Sequence, residues 1–254
     1  MFEQAQRLNG RVAFVAGAGK GLGRAIAEAL AEAGADVVGV SRTAADVEAL
    51  SREVKQRGCR GLALTADLVT SAAVDAAVQR AIDDMGKIDI LVNAVGGNLH
   101  KPLIETTDED WERSLRANLS STFYTCRAVA PHMLKQRAGC VINIASTAGL
   151  RGRPNISSYC ATKAAVINFS RALAVEWASS GIRVNVLCPG RFRTPATAPE
   201  MDDPVKFSEF VKRVPLGRIG DPDEIKSAAV FLASPASAFA TGMVLVLDGG
   251  QTIV

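Results

Sequence analysis

The chain has 254 residues, 48% hydrophobic and only 5% aromatic, which suits one close-packed α/β unit, and no Pro/Gly/Ser-rich or charged stretch offers a linker. A formal charge of +3, with basic residues scattered along the chain, provides no nucleic-acid surface. Five cysteines without a Cys-x-x-Cys pair and only two histidines, His100 and His132, argue against a disulfide frame or a metal site; no apolar run reaches membrane length and no basic-then-apolar leader opens the chain, so a soluble, cytoplasmic protein is expected.

Short apolar runs alternate with longer amphipathic ones. Strands are expected at Val12–Ala16, Asp36–Val40, Gly61–Ala66, Ile88–Asn93, Cys140–Ala145, Arg183–Leu187 and Val244–Leu247. Helices are expected at Gly21–Ala33, Ala44–Arg57, Ser71–Met85, Asp108–Lys135, Ser158–Ala178 and Pro222–Ala233, with Gly34, Gly58, Gly86 and Gly181 as C-terminal caps. This alternation predicts a single domain over residues 1–254, a doubly wound seven-stranded parallel sheet with helices on both faces. Ligands of such sheets bind beyond the carboxyl ends of the strands, where strand order reverses.

After the first strand, Gly17-Ala18-Gly19-Lys20-Gly21-Leu22-Gly23 opens the first helix. Missing side chains let the backbone approach a pyrophosphate, and the helix start offers free N–H groups, although the spacing is G-x-x-x-G-x-G and not G-x-G-x-x-G. The alternative is a loop that simply needs positive backbone dihedrals. At the end of the second strand stand Ser41 and Arg42, where an NAD enzyme would carry a carboxylate for the ribose. A guanidinium there, with Lys20 nearby, favours a 2′-phosphate, so NADP(H) is expected over NAD(H).

Further along, Ser146 closes an apolar run, and Tyr159 and Lys163 stand four apart in an alanine-rich helix, on one face. A phenol is a poor acid or base at neutral pH, and a neighbouring ammonium favours the phenolate, so the pair reads as a tuned acid/base. Ser146 as a hydrolytic nucleophile is disfavoured, because no G-x-S-x-G elbow surrounds it and neither histidine has an obvious place beside it. Three loops, Gly97–Lys101, Thr147–Asn155 and Arg191–Pro215, are expected to contact substrate; they carry Arg151, Arg153, Arg191, Arg193, Lys206, Lys212 and Arg213. That rim attracts carboxylates or phosphates, or is ordinary solvated charge. Asp202-Asp203-Pro204 suggests a lid.

As an ordered set, Gly17/Gly21/Gly23, Asp67, Asn93-Ala94-Val95-Gly96, Asn118, Ser146, Tyr159/Lys163, Pro189-Gly190 and Asp248-Gly249-Gly250 resemble the short-chain dehydrogenase/reductase family over nearly the whole length. The resemblance implies a Rossmann-like fold and hydride transfer between a nicotinamide and a small carbonyl or alcohol substrate. Tyr159 would donate the proton, Lys163 would lower its pKa and bond the nicotinamide ribose, Ser146 would hold the carbonyl, and Asn118 would anchor a water linked to Lys163. Asp67, with Leu68, would meet the adenine, Asn93 and Gly96 would line the ribose, and Pro189, Gly190, Phe192 and Thr194 would flank the carboxamide. Asn93-Ala94-Val95-Gly96 departs from the family's Asn-Asn-Ala-Gly and implies the loss of a hydrogen bond supporting the sheet. The tail resembles both the gluconate-dehydrogenase-like and 3-oxoacyl-carrier-protein reductase branches, and the family resemblance also implies a homotetramer. A nucleotide-binding sensor or scaffold without catalysis is the rival class, against which the retained Ser, Tyr and Lys stand.

Overall fold

In β1 (Val12–Ala16), alternate residues face opposite layers: Val12, Phe14 and Ala16 pack on one side, Ala13 and Val15 on the other, and all five are buried. Residues 5–254 are described by a computed structural model. Along the chain follow α1 (Gly21–Glu32), β2 (Asp36–Ser41), α2 (Ala44–Gln56), β3 (Gly61–Thr65), α3 (Ser71–Met85), β4 (Ile90–Asn93), α4 (Asp108–Leu115), α5 (Ser121–Gln136), β5 (Gly139–Ile144), α6 (Ser157–Trp177), β6 (Ile182–Pro189), α7 (Ala198–Met201), α8 (Pro204–Val211), α9 (Lys226–Ala233) and β7 (Val244–Leu247). The strands form one sheet in the order β3-β2-β1-β4-β5-β6-β7, every pair parallel.

Leu30 of α1, Leu50 of α2 and Leu232 of α9 cover the face of the sheet that carries Val15. Val78 of α3, Met133 of α5 and Trp177 of α6 cover the face that carries Phe14. This double cover explains why the central strands read as unbroken apolar runs. The order turns back between β1 and β4, whose ends Ala16 and Asn93 are paired, so the crevice expected from the sequence opens there. Among the described residues no helix is long and apolar enough to cross a membrane, and no cluster of His, Cys, Asp or Glu has the make-up of a metal site.

Three segments differ from the sequence expectation. The single helix expected at Asp108–Lys135 is interrupted by a π turn at Arg116–Ser120. The cause is Asn118: fully buried, it donates through Nδ2 to Ser114 O (3.1 Å) and Gly97 O (2.9 Å) and accepts at Oδ1 from Gly97 N (3.1 Å). The 191–215 stretch, expected as a loop, contains α7 and α8. Asp203 caps α8 by accepting from Val205 N (3.0 Å) and Lys206 N (3.2 Å), and Pro204 takes the first helical turn, so the acidic step that suggested a lid is a helix start. The helix expected at Pro222–Ala233 begins as a 3-10 turn, Pro222–Ile225, held by a capping box between Asp221 and Glu224.

One polar ladder crosses the otherwise apolar layer beneath β4 and β5. Asn93 donates through Nδ2 to Asn143 Oδ1 (2.8 Å) and accepts from Thr125 Oγ1 (2.6 Å), while Asn143 donates to Ser170 Oγ (2.8 Å). All four side chains are buried, and they tie together β4, α5, β5 and α6. Support for the centre of the sheet thus comes from Asn93, whereas Ala94 packs against the apolar core.

Candidate active site

The glycine turn is fixed by what surrounds it. A Cβ on Gly17 would lie 2.8 Å from the main chain of Ala94, and one on Gly23 would lie 2.2 Å from Gly17 O, so neither position admits a side chain. Gly17 and Gly21 have φ of 86° and 59°, the left-handed region that glycine adopts without strain. Gly19 abuts Ser41 at the end of β2, and Gly21 faces Thr194 across the crevice at van der Waals distance. Leu22 is half-buried and packs against the core, fixing the first turn of α1. Bare backbone at the start of a buried helix, facing an open crevice, fits the diphosphate of a dinucleotide.

Across the switch point, β5 delivers Ser146 and the start of α6 delivers Tyr159 and Lys163. Ser146 is extended, with φ of −167°, and its Oγ caps the turn Thr147–Gly149 by accepting from Ala148 N (3.1 Å). Lys163 is buried, its Nζ donates to Ile144 O (2.9 Å), and it stands 5.7 Å from the centroid of the Tyr159 ring. A Cβ on Gly96 would lie 2.6 Å from Asn118 Oδ1 and 3.3 Å from Lys163 Nζ, so Gly96 leaves the gap in which those two side chains meet the cleft. Burial pulls the Lys163 ammonium down to about 8.

The family model described as enoyl-(acyl carrier protein) reductase matches residues 17–252. A 3-oxoacyl-(acyl-carrier-protein) reductase of Vibrio harveyi is 40% identical, over 97% of this chain and 99% of that one. A D-threitol dehydrogenase of Mycolicibacterium smegmatis is 41% identical, over 97% and 95%. A gluconate 5-dehydrogenase of Burkholderia cenocepacia, solved with NADP and tartrate, is 38% identical and superposes with a TM-score of 0.94 over 100% of both chains. The chain is a short-chain dehydrogenase/reductase.

The residues expected at the site from that resemblance take different places in the fold. In the free site burial pushes the Tyr159 phenol above its ordinary value, and the Ser146 hydroxyl and the Arg153 guanidinium act in the opposite direction. The Lys163 ammonium meanwhile donates to Ile144 O. The Asn93 side chain is bound into the ladder by Asn143 and Thr125. Leu68 belongs to the core beneath the exposed Asp67. Pro189 is buried, and Gly190 is required by the end of β7, since its Cβ would meet Asp248 at 2.7 Å. Phe192 is buried with its ring on Gly220, and its carbonyl accepts from Thr197 Oγ1 (2.7 Å). Thr197 also accepts from Thr194 N (2.9 Å), so it organises both residues; the Thr194–Thr197 spacing is its only trace in the sequence.

A cavity of about 460 Å³ has a lining that includes Arg151, Arg153, Arg191, Arg213, Phe210 and His100; Ser146 and Tyr159 are not on its wall, and Arg153 connects it to them through Thr147, the neighbour of Ser146. The three loops expected to contact substrate do meet here, although Arg193, Lys206 and Lys212 are not on its wall. Arg153 donates to Thr147 Oγ1 (3.2 Å) and to Gln251 Oε1, and Arg151 donates to the main-chain oxygens of Gln251 and Val254. Arg191 pairs with Glu200 and lies 3.7 Å from the centroid of the Phe210 ring.

Proposed function

We propose that this protein is an NADP(H)-dependent oxidoreductase that interconverts a carbonyl and a secondary alcohol, with a hydroxy acid of the sugar-acid type as substrate. The observation that carries the reading is the convergence, on one crevice, of a backbone cradle that excludes side chains with a serine, a phenol and a buried lysine. When bound, the nicotinamide supplies and accepts hydride. Ser146 holds the substrate oxygen, Tyr159 gives that oxygen its proton, and Lys163, with Asn118 behind Gly96, keeps positive charge beside the phenol as it ionises. Because burial keeps the phenol protonated well above neutral pH, Tyr159 stands ready as a donor; reduction is favoured near pH 7, and oxidation, which needs the phenolate, speeds up toward alkaline pH. The acyl-carrier reductase branch is the second reading, supported by the Vibrio harveyi relative.

NADP(H) is supported by Arg42, exposed just beyond β2, and by the NADP in the Burkholderia cenocepacia neighbour. Lys20 contributes less, since its Nζ lies 3.6 Å from Asp46 Oδ2. NADPH is expected to bind at least about tenfold more tightly than NADH, and Arg42→Ala to remove most of that margin, as fits one charge-assisted contact. Titration of nucleotide fluorescence measures both constants; equal affinities in the unaltered protein defeat the cofactor assignment.

A homotetramer completes the reading, built by pairing α5 and α6 with their copies. Phe123 on α5 and Val175 on α6 are exposed apolar side chains that such pairing would cover. Sedimentation at micromolar concentration is expected to give the tetramer, and a monomer there excludes it.

A further inference from the structure

Four guanidinium groups share the wall of one cavity, and among the described residues the lining contains no Asp or Glu. Glu200 pairs with Arg191 and the oxygen of the last residue, Val254, meets Arg151, so the two guanidinium groups left without an anion are Arg153 and Arg213. Arg153 is oriented by neutral acceptors, Arg151 meets Val254 O of the last residue, and Arg213 is exposed with no ion-pair partner among the described residues. Like charges gathered in a concave, partly dry space repel, and the crowding registers on Arg153, whose pKa is lowered by burial and then by Arg191, Arg151 and Arg213. A neutral polyol would leave that repulsion standing, and one carboxylate would relieve only part of it. Arg153 donates to Thr147 Oγ1, one residue from Ser146, so it stands at the end of the cavity nearest the reactive groups, with Arg213 contributed by a different loop.

We propose that the substrate carries two anionic groups, as a hydroxy dicarboxylate or a phosphorylated hydroxy acid does, with Arg153 holding the group beside the reacting carbon and Arg213 the remote one. This rests on the oxidoreductase reading above and narrows its substrate class. A four-carbon series of one configuration isolates the charge: threitol, threonate and the matching chiral tartrate carry none, one and two carboxylates, and 4-phosphothreonate carries a phosphate at the remote end. Calorimetric titration of the full-length protein saturated with NADP is expected to rank tartrate at least about tenfold tighter than threonate, with threitol weakest. Arg213→Gln, a change at an exposed position, is expected to weaken tartrate by roughly tenfold and threonate by less than about twofold. The ratio of 4-phosphothreonate to tartrate affinity distinguishes a phosphate from a carboxylate at the remote end. Tartrate binding no tighter than threonate, or Arg213→Gln weakening the two equally, overturns the proposal. NADPH-dependent reduction of neutral butane-2,3-dione keeps the two readings apart: with that activity present and no dianion preference, only this inference falls; with the preference present and no carbonyl reduced, only the oxidoreductase reading falls.

Discussion

Replacing Tyr159 by phenylalanine is expected to lower kcat/KM for carbonyl reduction by roughly a thousandfold, the scale of a lost general acid, while the Kd for NADPH changes by less than about threefold. The ring keeps its place on α6, and the cradle that receives the dinucleotide lies on the other side of the switch point, so binding and chemistry separate. Ser146 remains in the variant, bound to Ala148 N, and can still orient the substrate oxygen but has no acidic proton to give it. Single-turnover reduction in the presence of saturating NADPH reads the loss directly. A variant within tenfold of the unaltered protein would remove Tyr159 from its role and leave proton delivery to water.

Replacing Lys163 by methionine is expected to do two opposite things. Activity falls by at least about a hundredfold, since the phenol loses the positive charge that supports its ionisation. Stability rises. An ammonium held at about 8, against an ordinary 10.5, has its charged form disfavoured by about 3 kcal/mol, and an apolar side chain of similar length avoids that cost. The Ile144 carbonyl loses its donor, which offsets about 1 kcal/mol, leaving a gain of about 2 kcal/mol at pH 7. The sign with pH follows from proton counts. Below pH 8 folded and unfolded chains both hold the proton and the cost is complete; between about 8 and 10.5 the unfolded chain retains it and the folded one releases it, so the unaltered protein gains stability as pH rises. The advantage of the variant is therefore largest at neutral pH and shrinks toward pH 10. Thermal denaturation of both proteins at matched concentration, across that range, measures it; an advantage that grows with pH would mean that Lys163 is not a buried cation.

Strand and helix order was legible in the sequence because the sheet is covered on both sides, which turns each central strand into an apolar run such as Val12–Ala16. The placement of Ser146, Tyr159 and Lys163 was legible for a related reason: residues at strand ends and on one helical face are set by period, not by tertiary detail. What escaped was decided by side chains reaching across the fold. Asn118 breaks its helix because it finds the Gly97 main chain, a partner twenty-one positions away that no local pattern announces. The direction of the Lys163 proton depends on a carbonyl of β5, and the phenol's altered acidity on burial, neither of which has a sequence signature. The basic residues of the three loops read as a pocket rim or as solvated charge, and only the way the loops meet puts Arg151, Arg153, Arg191 and Arg213 on one wall and leaves Arg193, Lys206 and Lys212 off it.

The Asn93–Asn143–Ser170 ladder bears on how this molecule fails when heated. Greasy contacts tolerate an ångström of sliding at little cost, whereas amide-to-amide bonds in a dry layer are lost when their partners shift by the same amount. The strand that borders the nucleotide cradle and the helix that bears the phenol are therefore latched together from below, and the distance between them cannot drift while the sheet survives. Warming should leave the reactive groups in register until the whole domain lets go, so that inactivation and unfolding are a single event.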